Sequence, residues 1–205
     1  MSDTRDGPAD GTAGMTDFEQ QTRLVARIAG GVDDKQLEDP TPCPELAVRN
    51  LLGHLEGLAT AFRDAGRKDF GPTTDTDPGT AVPDVGPDWR GTLPLRLAEL
   101  AEAWRSPEAW QGDTRAGGFD LPGAVAGQVA MNELVLHGWD LARATGQPYA
   151  PDDASLSVAY AMVAATPEGP EREGLFGPIV PVPEDAPLLD RVLGLSGRSP
   201  VWTPR

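Results

Sequence analysis

Residues 129–139 have the sequence VAMNELVLHGW, which is apolar on almost every side of a helix. A helix of that composition is buried rather than amphipathic. Two ionisable residues, Glu133 and His137, interrupt it on one side. They are four positions apart, so in a helix they rise about 6 Å and turn by only about 40° relative to each other. The stretch therefore predicts a buried helix that carries a carboxylate and an imidazole on one face.

The rest of the chain predicts further helices around this one. Apolar residues recur at helical spacing in five other segments, and we find no internal repeat. A capping box at Thr16 and Glu19 predicts the start of the first helix, and Pro44 suits the first turn of the second. This pattern predicts an all-α fold centred on four helices. The predicted helices cover about residues 16–31, 44–66, 92–105, 122–145, 152–165 and 186–195.

The segments between and before the helices define the domain organisation. Residues 1–14 contain too little apolar surface to offset the entropy of ordering them, so we expect a disordered leader there. Residues 15–205 are expected to form a single domain. Within it, residues 67–88 are rich in Pro, Gly, Asp and Thr and predict a long crossover connection. We expect a loop at 111–120 and an extended flap over the bundle at 176–182.

The composition excludes several classes of function. The chain has 205 residues, a net charge of −15 and a pI near 4.4. That acidity argues against nucleic-acid binding, which needs a basic face. No apolar run approaches the roughly 18 residues that span a bilayer, and the N-terminus shows no secretory signal. The single cysteine, Cys43, is expected to pack rather than react, and we expect a cytoplasmic protein without membrane or nucleic-acid partners.

The buried carboxylate of Glu133 needs a partner, because burying it alone costs several kcal/mol or forces protonation. The only other histidine in the chain, His54, lies among leucines on or beside the core face of the second predicted helix. Two imidazoles and one carboxylate make a three-ligand site for a divalent metal that leaves coordination positions open. Spacing alone leaves a second interpretation, in which Glu133 pairs with His137 and His54 is a hydrogen-bonded core histidine.

Three segments carry a resemblance to a known family. Because of these segments, the chain after Met15 resembles the DinB-like superfamily. Within it, the resemblance is to the metal-binding proteins related to the N-terminal domain of mycothiol-dependent maleylpyruvate isomerase. In place of the separate C-terminal domain of that isomerase, we expect a short tail through Trp202. The segments are TPCPELAVRNLLGHL at 41–55, ELVLHGWDLA at 133–142 and VPEDAPLLDRVLGLSGRSPVW at 182–202.

The resemblance implies a DinB-like four-helix bundle with a long crossover and a zinc-type site. Matched position by position, the metal ligands that it implies are His54, Glu133 and His137. Zn²⁺ is the expected ion, and Ni²⁺ or Fe²⁺ also accepts two imidazoles and a carboxylate. Asp140, three positions beyond His137, could accept the free N–H of a ligand histidine. The alternative for Asp140 is an ordinary surface or capping aspartate.

The function that this resemblance implies is a metal-dependent S-transferase or isomerase. Mycothiol would be the co-substrate, with a small electrophile as its partner. Because a coordinated thiol is deprotonated, no protein nucleophile is needed. Two alternatives stay open: a non-catalytic metal-binding or stress-associated protein, and a metal-assisted hydrolase. A homodimer is one option for the oligomeric state.

Overall fold

The computed structural model describes residues 15–77, 82–172 and 174–204. The leader expected at 1–14 lies outside the described residues. Within them the chain forms eight α-helices, two short strands and two 3₁₀ turns. The helices are α1 Glu19–Gly30, α2 Val48–Arg67, α3 Pro72–Asp75, α4 Trp89–Ala103, α5 Pro107–Trp110, α6 Gly123–Ala144, α7 Asp153–Ala164 and α8 Leu188–Leu195. The strands are β1 Asp113–Ala116 and β2 Phe119–Pro122, and the 3₁₀ turns are Asp34–Gln36 and Pro170–Arg172.

The predicted all-α fold is confirmed, and four of these helices build the core. Each of α1, α2, α4 and α6 packs against two of the others, which gives a four-helix bundle, while α7 lies outside against α6 and α8 packs on α7. No described helix combines the length and the hydrophobicity that crossing a membrane requires. The apolar stripes predicted from the sequence face the bundle interior. Their most deeply buried members are Phe18, Val25, Ile28, Leu51, Leu55, Leu93, Leu97 and Leu100.

The start of α1 differs from the sequence prediction. The helix begins at Glu19, three residues after Thr16, and no side chain caps it at Phe18. The backbone N–H of Glu19 donates instead to Oδ1 of Asp17, 2.9 Å away. The Glu19 carboxylate pairs with Arg105 rather than turning back to the helix start. The prediction of a capping box at Thr16 is therefore wrong, because Asp17 accepts the hydrogen bond from the Glu19 N–H in place of Thr16.

Helix α2 also begins later than predicted, at Val48 rather than near Pro44. The preceding segment forms an antiparallel bridge between Pro40 and Ala47, and the backbone N–H of Val48 donates to the carbonyl of Asp39. The Thr41 hydroxyl donates to the carbonyl of Leu46 at 2.7 Å. These bonds hold residues 39–47 in a tight extended turn, so helical bonding starts four residues later.

The predicted loop at 111–120 is instead a β-hairpin. Strands β1 and β2 pair antiparallel, with Ala116 opposite Phe119. The two residues between them, Gly117 and Gly118, both have positive φ angles of 61° and 81°. A two-residue turn of that kind matches the twist of a hairpin and favours glycine. The Gly-Gly pair was therefore a usable signal that the sequence prediction missed.

The other connections follow the predicted ranges, but the flap expected over the bundle packs on α8. The long connection between α2 and α4 is present, and its described residues contain the four-residue α3. Residues 176–183 carry no helix or strand, as expected for the flap, and they lie on α8. The backbone N–H of Val180 donates to the carbonyl of Gly194, and a side chain at Gly194 would collide with Val182. After α8 the tail returns to α6, where Nε of Arg143 donates to the carbonyl of Trp202.

Candidate metal centre

The three predicted ligands meet where α2 faces α6. His54 comes from α2, and Glu133 and His137 come from successive turns of α6. One nitrogen from each imidazole and one carboxylate oxygen all lie within 4.8 Å of one another. Oε2 of Glu133 is 3.4 Å from Nε2 of His54 and 3.2 Å from Nε2 of His137. The two imidazole rings stand edge to face with centroids 4.7 Å apart.

Local packing places His54 at this position on α2. The backbone of Asp84 packs directly against the preceding residue, Gly53. A Cβ on Gly53 would come within 2.6 Å of the Asp84 backbone. Arg49 holds Asp84 with two hydrogen bonds of 2.7 and 2.8 Å, and the Asn50 amide donates to the carbonyl of Pro83. The end of the long connection is therefore fastened across α2 beside the site, and only glycine allows that approach.

The electrostatics of the site keep Glu133 ionised. Burial acts to raise the pKa of Glu133, but hydrogen bonds from His137 and His54 outweigh it and hold the pKa well below its ordinary value. For His137, burial acts to lower the pKa, while the hydrogen bonds to Asp140 and Glu133 raise it to about 9. The metal-free site therefore holds a carboxylate against a protonated imidazole. A metal ion would take the place of that proton.

Asp140 fixes the orientation of the His137 ring. Its side chain is fully buried, and its Oδ2 lies 3.0 Å from Nδ1 of His137. Nδ1 of His137 thus faces Asp140, and Nε2 faces Glu133 and His54. Asp140 is therefore a buried hydrogen-bond partner of His137 and not a surface aspartate.

Arg198 is a residue near the site to which the sequence analysis assigned no role. Its Nε and Nη2 donate to the two carboxylate oxygens of Asp140, each at 2.8 Å. The two residues are 58 positions apart, and Arg198 lies in the tail that follows α8. A buried aspartate on a helix requires a counter-charge, and that requirement was the one signal in the sequence that Asp140 needs a basic partner. The sequence offered no spacing rule to select this arginine.

Cys43 does not join the cluster of ligand atoms found in the described part of the chain. Burial raises the pKa of its thiol, the nearby charge of Asp140 adds to that effect, and Arg198 opposes it. The thiol is therefore protonated at neutral pH. This agrees with the expectation that Cys43 packs rather than reacts.

The chemistry of the donor set fits a divalent transition metal. Two imidazole nitrogens and one carboxylate oxygen suit Zn²⁺, Ni²⁺ and Fe²⁺, and three protein ligands leave coordination positions open. The side chains of His54 and Glu133 keep 20% and 29% of their surface exposed, so the cluster is not sealed from solvent. The residues present could hold a metal that also accepts a small molecule.

The comparisons with known proteins identify the family of the chain. Residues 18–142 match the family model described as the mycothiol maleylpyruvate isomerase N-terminal domain. The chain belongs to this family. The match includes His54, Glu133, His137 and Asp140, whereas Arg198 lies beyond its end.

Relatives and solved structures extend the comparison over more of the chain. Two uncharacterized proteins of Mycobacterium tuberculosis, from strains CDC 1551 and H37Rv, are each 27% identical over 178 residues, which is 85% of this chain and 91% of the relative. The crystal structure of the mycothiol-dependent maleylpyruvate isomerase is similar with a TM-score of 0.54 at 17% identity, over 76% of this chain and 70% of that one. A histidine-to-alanine mutant of that enzyme gives a TM-score of 0.53 with the same identity and coverage. At this identity the two crystal structures support the fold.

Proposed function

We propose that this protein is a metal-dependent S-transferase or isomerase that uses mycothiol as its thiol and acts on a small electrophile. One observation carries the proposal: His54, Glu133 and His137 present three metal-ligand atoms within 4.8 Å of one another. The membership of the mycothiol maleylpyruvate isomerase family supports the choice of thiol. The expected ion is Zn²⁺, with Ni²⁺ or Fe²⁺ as alternatives.

The chemistry that the ion would supply, when bound, is a coordination position at which a thiol is held deprotonated at neutral pH. The protein side chains have supporting roles. Glu133 brings a negative charge that balances part of the charge of a cation, and His54 and His137 bring neutral nitrogen donors. Asp140 keeps the proton of His137 on Nδ1, which leaves Nε2 free to bind. Because the Cys43 thiol is protonated, the nucleophile comes from the small thiol and not from this cysteine.

The contacts of Asp140 argue against the hydrolase alternative. Metal-assisted hydrolysis requires a general base that accepts a proton from a bound water. In the described structure, Asp140 is the further carboxylate that contacts a ligand histidine, and His137 and Arg198 already occupy both of its oxygens. Asp140 is therefore not free to act as that base. A metal-binding protein without catalysis remains the competing account, and it is an outcome of the experiment below.

Cobalt substitution tests the thiol chemistry directly. Co²⁺ accepts the same ligands as Zn²⁺ and is coloured, so a thiolate bound to it gives a sulfur-to-metal charge-transfer band. We expect that band when mycothiol is added to the cobalt protein, and a weaker response to cysteine, which lacks the sugar that a cavity could recognise. A Cys43→Ser variant should respond like the parent.

The same experiment separates the two accounts. A cobalt spectrum that no thiol perturbs at millimolar concentration would contradict the transferase or isomerase proposal and leave a metal-binding bundle without this chemistry. Native mass spectrometry of protein from its own source gives an independent readout, because it reports metal, bound thiol and stoichiometry together. We also propose a cytoplasmic location, where low-molecular-weight thiols are kept reduced.

A further inference from the structure

The tail after α8 places a buried arginine, Arg198, next to the candidate metal centre. Arg198 keeps only 13% of its side chain exposed, and its guanidinium donates to both carboxylate oxygens of Asp140 through two bonds of 2.8 Å. Oδ2 of Asp140 also accepts from Nδ1 of His137 at 3.0 Å. The tail, α6 and a candidate metal ligand thus form one continuous hydrogen-bonded chain of three side chains.

The position of Arg198 is determined by its backbone. The backbone N–H of Arg198 donates to the carbonyl of Leu193 at 2.8 Å, which ties the tail to the end of α8. Gly197 before it has a φ of 88° and lies against Gly177, where a Cβ would come within 2.6 Å of the Gly177 Cα. Both the positive φ and the close approach require glycine at 197. The tail is therefore folded specifically to direct this arginine toward α6.

We propose that Arg198 is a positioning residue of the metal centre, acting on His137 through Asp140. This inference rests on the proposed function, because it presumes that a metal binds at His137. A paired guanidinium and carboxylate hold each other in one plane. That plane aims Oδ2 of Asp140 at Nδ1 of His137, which fixes the proton on Nδ1 and presents Nε2 to the metal. The tail is thereby part of the site and not only a cover of the bundle.

The direction in which removal of Arg198 changes the metal affinity distinguishes a positioning role from a simple charge effect. A guanidinium near a cation site repels the cation, so its removal would strengthen metal binding if charge alone mattered. Positioning predicts the opposite, because a released Asp140 would no longer orient His137. Loss of a residue that supports a metal ligand typically weakens metal affinity by about 10- to 100-fold. We expect a loss of that size for Arg198→Ala.

The test is the zinc affinity of full-length variants, measured by competition with a chromophoric chelator. Arg143→Ala is the matched control, because Arg143 anchors the same tail through the Trp202 carbonyl and contacts no ligand. It should bind zinc like the parent. Arg198→Lys keeps the charge but loses the paired geometry, so it should fall between the parent and Arg198→Ala.

A double variant covers the case in which Arg198→Ala alone folds poorly. Removing the arginine leaves the buried Asp140 charge with His137 as its remaining contact, and loss of the guanidinium is strongly destabilising, whereas Asp140→Asn combined with Arg198→Ala removes that buried charge. If Arg198 acts through Asp140, the double variant should bind zinc no more weakly than Asp140→Asn alone, within about threefold. A further loss of tenfold or more would show that Arg198 acts by another route and would overturn the proposal.

A second readout does not depend on metal. The chain contains two histidines, so side-chain ¹⁵N spectra of the metal-free protein are simple to assign with the aid of His54→Ala. Arg198→Ala should shift the Nδ1 resonance of His137, and Arg143→Ala should not. If the parent binds zinc and Arg198→Ala binds it equally well or better, this inference fails while the proposed function stands. If the parent binds no zinc, both fail.

Discussion

The two halves of α6 meet the rest of the bundle in opposite ways. In the N-terminal half, Gly127 lies against Trp104 and Trp110, and a Cβ on Gly127 would come within 2.6 Å of the Trp110 ring. From the middle of the helix onward, Glu133 and His137 face His54 of α2 with ionisable groups. Both regions lie in the interior of one bundle, and one is held by close apolar packing while the other is held by matched charges.

The difference shows how a single buried helix separates stability from function. At the aromatic end the polar atoms are satisfied by backbone: the indole N–H of Trp104 donates to the carbonyl of Phe62, and that of Trp110 donates to the carbonyl of Trp104, each at 2.8 Å. At the metal end each charge depends on another side chain, as in the contact of Asp140 with Arg198. Substitutions at the two ends should therefore change different properties.

The largest expected effect is the loss of metal in His54→Ala. Removing one of three protein ligands should reduce the metal content from about one ion per chain to a trace. Helical content should be retained, because the hydrogen-bond partner of His54 in the structure is Glu133 and not the apolar core. Elemental analysis together with circular dichroism measures both properties. Unchanged metal content in this variant would show that the site does not use His54.

The next effect concerns the aromatic end. Trp104 is 1% exposed, and its ring lies tilted against Phe18 and edge to face against Trp110, with ring centroids 5.8 and 5.1 Å away. Trp104→Ala should lower the free energy of unfolding by about 3–5 kcal/mol, because it leaves a cavity. Metal stoichiometry below the melting temperature should not change. Urea denaturation gives the first quantity and elemental analysis the second, and a parallel loss of metal would contradict the separation of the two ends.

The pH dependence of the metal-free protein should come from the metal end. The pKa of His137 is raised from 6.5 to about 9, so the folded state holds a proton that the unfolded state releases in this range. The stability from that proton is fully present below pH 6.5 and is lost as the pH rises through 9. The slope should not exceed about 1.4 kcal/mol per pH unit, the value for one proton.

Thermal melts at several pH values measure this slope. His137→Gln removes the titrating group and should give a nearly flat profile between pH 6.5 and 8.5, whereas Cys43→Ser should keep the slope of the parent. A slope that survives in His137→Gln would assign the dependence to another group. Metal binding at pH 7 should also release about one proton per ion, which a weakly buffered titration detects.

The smallest effect is expected for Gly127→Ala. The added methyl group would press on the rings of Trp104 and Trp110, which have to move, and overpacking of this kind costs about 1–3 kcal/mol. Gly57→Ala is a matched control, because a Cβ at Gly57 on α2 meets no atom within 4 Å and alanine favours a helix. A Gly127→Ala variant as stable as the parent would mean that the aromatic end is packed loosely.

Long elements of the fold were predictable from the sequence, and short ones were not. The helices α4, α6 and α7 are long enough to show their period several times, and they lie within about three residues of the predicted bounds. Strands β1 and β2 have four residues each, too few to show an alternation, and only the Gly-Gly turn marked them. The start of α1 was misplaced because a local competitor, Asp17, took the role expected of Thr16.

The site was predictable to the extent that its members share a helix or belong to the family motifs. Glu133, His137 and Asp140 follow from spacing on α6, and His54 follows as the only other histidine, placed among leucines of α2. The resemblance then favoured the metal site over a core histidine. Arg198 could not be found in this way, because its contact with Asp140 joins residues 58 positions apart and depends on how the tail folds back. Long-range pairing of charges is a property of the tertiary structure and leaves no period in the sequence.

Anomalous diffraction from crystals of the zinc-loaded protein tests the central claim most directly. The account predicts one zinc ion between α2 and α6, bound by the imidazoles of His54 and His137 at about 2.0–2.1 Å and by the carboxylate of Glu133 at about 2.0–2.2 Å. Asp140 should contact Nδ1 of His137 and not the ion. A zinc ion bound at Cys43, or one placed away from these three residues, would contradict the account.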